Sequence, residues 1–182
     1  MITLNFDPFP LLTSQRLTLR SLQESDVNEM LVLRSDDRVM EFIDRPKTTT
    51  TDGALNFIHL IQDLIKNNES ILWAITLTGE EKMAGTICIW NIDKDNHRGE
   101  VGYALLPGYF RKGIMHEAMQ LVVEYAFQQL KLHSLEAQVN PGNVGSIKLL
   151  EKNGFVQEAY YKENYLYEGK FKDTMVFSLL SK

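Results

Sequence analysis

Cysteine is nearly absent: Cys88 is the single thiol in 182 residues. One thiol cannot close an internal disulfide or build a multi-cysteine metal site, so no metal is expected. The alternating run Met83–Trp90 around it reads as strand packing rather than the setting of a nucleophile. No stretch approaches the roughly 18–20 apolar residues needed to cross a bilayer, and the opening Met1–Arg20 lacks a basic start followed by an apolar run. A cytoplasmic chain with no membrane partner is expected. Basic blocks are missing too. The 19 Lys and Arg against 24 Asp and Glu give a formal charge of −5, and without clustered cations to neutralise phosphates no nucleic-acid partner is expected. A cationic acceptor suits this balance better, although net charge speaks first to solubility. Repeats, low-complexity tracts and linkers are also lacking, so residues 1–182 read as one domain.

What is present is a succession of period-two and period-3.6 patterns. Arg16–Arg20 alternates like a half-buried strand, and Ser25-Asp26 offers N-cap chemistry before the apolar positions Val27, Met30 and Leu31. Thr51-Asp52 repeats the cap signal before Ala54, Phe57, Ile58, Ile61, Leu64 and Ile65, which share one helical face. Three strand-like runs follow, Ile71–Leu77, Met83–Ile92 and Glu100–Leu106, separated by turn-rich residues. From Ile114 the period is helical to Leu130, then Leu135–Val139 reads as a strand, Ser146–Lys152 as a short helix, and Phe155–Tyr161 and Thr174–Leu180 as two last strands. The order β-α-α-β-β-β-α-β-α-β-β predicts an α/β (α+β) chain with a mixed sheet and helices on both faces.

The segment Gly99–Met119 carries the first chemistry. A strand ends at Pro107-Gly108 and a helix opens near Gly113, so the loop Phe110-Arg111-Lys112-Gly113-Ile114-Met115 feeds an N-terminus whose unpaired N–H groups carry about half a positive charge. Such a loop holds a diphosphate, with Gly113 allowing close backbone approach and Arg111 and Lys112 adding charge. Taken alone, the segment is more simply an ordinary strand-to-helix turn with solvated cations. A second segment, Asn140–Phe155, arrives one helix and one strand later.

Together these segments resemble the GNAT superfamily of N-acetyltransferases. Arg-Lys-Gly-Ile-Met-His-Glu-Ala118 is similar to the family's pyrophosphate loop, and Asn143-Val-Gly-Ser146 followed by Leu-Leu-Glu-Lys-Asn-Gly-Phe155 to its second cofactor segment. Gln15–Arg20 and Gly169–Leu180 resemble the two ends of the RimJ/RimL ribosomal-protein branch. The resemblance implies a mostly antiparallel sheet of about six or seven strands with a splayed parallel pair, and direct acetyl transfer from acetyl-CoA to a primary amine. It implies that Tyr103, Ala104 and Leu105 offer backbone groups to pantetheine, that Asn143 and Ser146 contact the cofactor, and that the acceptor is a protein N-terminus. Three positions depart from the family pattern: Phe110 where Gln or Arg is usual, Met115 where a small residue is usual, and Leu150 where many members carry a general-acid tyrosine.

Direct attack requires a base for the ammonium, a site for the oxyanion and a proton for the departing thiolate. An α-amine, with a reference pKa of about 7.7–8.0, needs less help than lysine at about 10.4. Glu100 and Glu163 are the candidate bases, with Glu158 behind them, and Ser146 is the candidate donor to sulfur; Ser146 and Asn143 are equally suited to capping the following helix. His116, Trp73 and Trp90 read as packing residues, and Asp36–Lys47 with Leu55–Lys66 as one wall of the acceptor site. A polyamine, aminoglycoside or other small amine is the alternative acceptor, and a non-catalytic acyl-CoA-binding domain the alternative class. Monomer and homodimer both remain open.

Overall fold

A computed structural model describes residues 1–181. Its eight strands form one sheet in the order β1-β2-β3-β4-β5-β6-β8-β7. They are β1 (Leu12–Thr13), β2 (Leu17–Ser21), β3 (Ile71–Leu77), β4 (Met83–Asp93), β5 (Arg98–Leu105), β6 (Ser134–Val139), β7 (Val156–Tyr167) and β8 (Lys170–Leu180). The helices are α1 (Val27–Leu33), α2 (Asp37–Met40), α3 (Thr51–Lys66), α4 (Ile114–Gln128) and α5 (Val144–Lys152). All neighbouring strands are antiparallel except β5 and β6.

Helices cover both faces, as the patterning predicts. Ile71, Trp73 and Ile75 of β3 join Ala118, Met119, Val122 and Ala126 of α4 in one core, while Leu72 and Ala74 face Ala54, Ile58 and Ile61 of α3 and Met30 of α1 in the other. A strand covered on both sides loses its alternation, which is why Ile71–Leu77 reads as a continuous apolar run. Trp73 is fully buried, packs edge-to-face on Tyr125 at 5.4 Å between ring centroids, and donates Nε1–H to the Pro10 carbonyl at 2.8 Å.

Several boundaries differ from the sequence expectation. The sheet has eight strands rather than six or seven because β1, two residues long, pairs with β2. The third helix is capped by Thr50, whose Oγ1 accepts the Gly53 N–H at 3.1 Å, one residue ahead of the Thr51-Asp52 expected there. Asp26 stands at the N-cap position of α1 as expected, but its buried carboxylate does not cap that helix: it takes two bonds from Arg20 on β2, at 2.7 and 2.8 Å, and the Gln23 N–H at 2.9 Å. The last two strands are longer than read and join through Glu168 and Gly169, both at positive φ, a tight hairpin turn.

Gly85 on β4 fixes how closely β5 can approach. A Cβ there would lie 2.3 Å from the Ala104 carbonyl oxygen and 2.9 Å from the Leu105 Cα. Gly85→Ala is expected to cost about 1–3 kcal/mol or more as overpacking against backbone. Denaturant unfolding is the check, and an unchanged midpoint would show that the strands part freely.

Candidate active site

The parallel pair forks. β5 and β6 are in register at Arg98↔Ser134, Gly99↔Leu135 and Glu100↔Glu136 and no further. Beyond that point β5 follows β4 as far as Gly85↔Leu105, while β6 follows β8 as far as Val139↔Met175. Each strand is drawn off by its outer partner, so the inward edges of Val101–Leu105 and Ala137–Val139 share no ladder among the described residues. Backbone groups on such edges seek partners, and Tyr103, Ala104 and Leu105 lie along one of them.

Two hydroxyls meet across the fork. Tyr103 Oη and Ser146 Oγ are 2.7 Å apart, one on β5 and the other in the first turn of α5. Asn143 is the N-cap of α5, its Oδ1 accepting the Ser146 N–H at 3.0 Å, so the capping role foreseen for these residues belongs to Asn143. Burial pushes the Tyr103 phenol up to about 12, opposed by the Ser146 bond, so the phenol stays protonated. Leu150, where a tyrosine was missed in the sequence, is fully buried.

At the far end of β5 the chain makes a 3-10 turn, Pro107–Tyr109, and enters α4 through Arg111 at φ 60° and Gly113 at φ 74°. The bond from Glu117 N–H to the Gly113 carbonyl at 3.2 Å closes the first turn of α4. The N–H groups ahead of it, through Ile114 and Met115, therefore have no intrahelical acceptor, and Gly113 supplies no side-chain cap. Arg111, Lys112 and Phe110 are exposed, whereas Ile114 and Met115 anchor the helix in the core. Sequence reading missed Arg16, which arrives from the start of β2: it pairs with Glu117 at 2.5 Å and reaches the Lys112 carbonyl at 3.4 Å. A recess of about 430 Å³ beside the loop is lined by Arg16, Thr78, Tyr109, Lys112 and Ile114, among others.

Glu100 sits where the two strands part. Burial first, and then the neighbouring Glu136 carboxylate, push its pKa up to about 7, offset by a bond from Asn91. Glu136 is held by an ion pair with Arg98, a contact invisible in sequence because 38 residues separate the two. The other candidate bases are placed differently. Glu163 is exposed at an irregularity of β7 with φ 52°, its N–H bonded to Asp173 Oδ1 at 2.8 Å, and Glu158 is exposed on the same strand. Cys88, on β4 opposite Gly102, has its thiol pushed up to about 12 by burial. His116 is half-buried in the first turn of α4, with its Nδ1 lacking a partner among the described residues. Trp90, expected in the core, is 47% exposed beside Glu100. Tyr165 donates to Asp44, tying β7 to the segment that follows α2, and Tyr160 and Tyr161 are exposed. Among the described residues no cluster of three metal-ligating side chains occurs and no helix is long and apolar enough to cross a membrane.

Comparison with known proteins agrees with this geometry. The signature of the acetyltransferase (GNAT) domain matches residues 16–156. The chain is 32% identical to an N-acetyltransferase called p20 from Bacillus licheniformis over 94% of this chain and 96% of that protein. It is 23% identical to the ribosomal protein uS5-alanine N-acetyltransferase of Escherichia coli, over 92% and 89% of the two chains. Among solved structures, RimL, a ribosomal L7/L12 alpha-N-protein acetyltransferase in complex with coenzyme A, superposes with a TM-score of 0.85 at 20% identity, covering 94% of this chain and 98% of that one.

Proposed function

The chain belongs to the GNAT acetyltransferase family, and we propose that its donor is acetyl-CoA and its acceptor the N-terminal α-amine of a protein or peptide. The single observation that carries this reading is Glu100 at the fork, with a pKa near 7 beside two freed strand edges. A base of that pKa is matched to an α-amine of about 7.7–8.0. The names of the uS5-alanine enzyme and of RimL support the same acceptor class.

In this reading the pantetheine arm bonds to the free edge of β5 at Tyr103–Leu105, and the diphosphate rests on the N–H groups from Gly113 to Met115. Arg111 and Lys112 add charge there, and Phe110 covers the loop. The amine nitrogen attacks the thioester carbon while its proton passes to Glu100, directly or through water. A backbone N–H of the β5 edge holds the oxyanion. The C–S bond then breaks, and Ser146 donates a hydrogen bond to the departing sulfur while Tyr103 donates to Ser146 Oγ. The proton on Glu100 returns through solvent to the thiolate. Tyr103 is thereby offered in place of the tyrosine absent at Leu150. Glu163, three strands away from β5 in sheet order, is left as a surface residue of the acceptor side.

A bond to a charged atom contributes about 1.5–3 kcal/mol, or roughly 10- to 100-fold in rate. Ser146→Ala is therefore expected to lower kcat by that factor with the KM for acetyl-CoA unchanged, and Tyr103→Phe to lower it less. Steady-state thiol release is the readout, run with N-terminal peptides, spermidine and an aminoglycoside as acceptors. Peptides are expected to lead in kcat/KM; a lead for spermidine would assign the small-amine reading, and CoA binding without turnover on any amine would assign a binding module.

A further inference from the structure

The two tryptophans sit in opposite settings. Trp73 is fully buried and hydrogen-bonded, whereas Trp90 is 47% exposed. The core that α1 and α3 form on this face of the sheet takes in Cys88 from β4 and Ala104 from β5 but does not reach Trp90. Side chains two apart on a strand share a face, so Trp90 stands just outside the end of that buried row.

Its ring has a defined direction. Trp90 pairs with Glu100, and Cys88 with Gly102. A Cβ built on Gly102 would lie 3.1 Å from Cys88 Sγ, 3.7 Å from Trp90 Nε1 and 3.9 Å from Trp90 Cδ1. The indole therefore leans across onto β5 at Gly102, toward the forked end, and the absence of a side chain at Gly102 leaves it that space. Glu100 turns the other way, its carboxylate bonded by the Asn91 side chain.

That places the indole between two parts of the site. Glu100 is the last residue of β5 in register with β6, and the free edge begins beyond it. At about 3.4 Å per residue, Tyr103 lies about 10 Å further along the strand, and the indole borders the interval at Gly102. It does so on the α1 and α3 side, while Tyr103 packs with α4 on the opposite face. An amine that passes its proton to Glu100 and attacks a thioester laid along Tyr103–Leu105 has to cross this interval. A cation within about 6 Å of an indole face is attracted by the ring quadrupole, more strongly than by tyrosine or phenylalanine.

We propose that Trp90 is the ammonium platform of the acceptor site, its π face holding the protonated α-amine beside Glu100. This rests on the reading of Glu100 as the base. The attraction acts on the charged amine and is lost once the nucleophile is deprotonated, so Trp90 strengthens ground-state binding rather than the chemical step. Trp90→Ala is then expected to raise the KM for a peptide amine about fivefold, with kcat and the KM for acetyl-CoA little changed.

Calorimetry on the full chain saturated with CoA tests the platform without turnover. The probes are Ala-Ala-Gly-Gly amide and propionyl-Ala-Gly-Gly amide, which differ only in the α-amine. At pH 7 that amine is mostly protonated, and wild type is expected to bind the amine about tenfold more tightly than its neutral twin. The preference is expected to fall about fivefold in Trp90→Ala and to be largely kept in Trp90→Phe, which retains an aromatic face. No preference in wild type, no binding of either probe, an unchanged preference in Trp90→Ala, or equal weakening of both twins would each overturn the proposal; the last would mark Trp90 as a packing residue. Thiol release from acetyl-CoA is read separately. Ammonium-selective binding that depends on Trp90 without turnover on any amine would sink the transfer reading alone, and peptide acetylation with the same KM in wild type and Trp90→Ala would sink the platform alone.

Discussion

Glu100→Gln is expected to lower kcat/KM for a peptide amine by about 100-fold or more, the usual range for losing a general base. The substitution keeps the shape and the bond to Asn91 while removing the proton acceptor, so CoA affinity is expected to stay the same. The wild-type kcat/KM is expected to rise with pH through about 7 as Glu100 ionises, with a further contribution from deprotonation of the amine itself. In Glu100→Gln the first rise disappears and the second remains. Stability carries the opposite signature. A carboxyl whose folded pKa is raised favours the native state while it is protonated, so this stability is full below the ordinary carboxylate pKa and is lost as pH rises through about 7. Glu100→Gln is therefore expected to be more stable than wild type at pH 8 and little different at pH 4. A rate profile unchanged by the substitution would move the base elsewhere, with Glu163 the next residue to replace.

The second large effect is expected at Gly113. Its φ of 74° lies where a β-branched side chain is strained, although an added Cβ would meet nothing nearer than Arg16 Nη2 at 3.7 Å. Gly113→Val should thus perturb by conformation rather than by collision, at a cost of about 1–2 kcal/mol. It also places methyl groups in front of the N–H groups that open α4. With one or two charge-assisted bonds lost or lengthened, the Kd for acetyl-CoA is expected to rise about 10- to 100-fold, with kcat at saturation much less affected. Direct binding of CoA by calorimetry checks this. An unchanged Kd would mean that the diphosphate does not use this helix start.

Much of this arrangement was legible because it is local. The run Ile71–Leu77 names its strand to the residue, and the glycine before Ile114 names the helix that opens there, since period and cap lie within a few residues of each other. Asn143 and Ser146 were likewise visible as a pair three residues apart. What could not be read depends on distant partners. The two-residue β1 exists only because β2 lies beside it, and Asp26 is buried because Arg20 reaches it from another element. The length of β7 was obscured by the irregularity between Tyr161 and Tyr165 and by its exposed, polar-interrupted sequence.

The site shows the same division. Residues on the two cofactor segments announce themselves by motif, whereas Glu136 becomes a neighbour of Glu100 only through parallel pairing, and Arg16 reaches the loop across 101 positions to Glu117. Sequence could propose Glu100 and Glu163 alike. The physical difference between them is environment, one half-buried beside a second carboxylate and the other exposed on an outer strand.

The central claim, acetyl transfer from acetyl-CoA to an α-amine, is tested most directly by locating the acetyl group after a single turnover on a peptide that offers both an N-terminal amine and a lysine. Fragmentation mass spectrometry is expected to find the acetyl on the α-amine, in wild type and not in Glu100→Gln. Acetyl on the lysine, or no acetylated peptide from an enzyme that demonstrably binds acetyl-CoA, would contradict it.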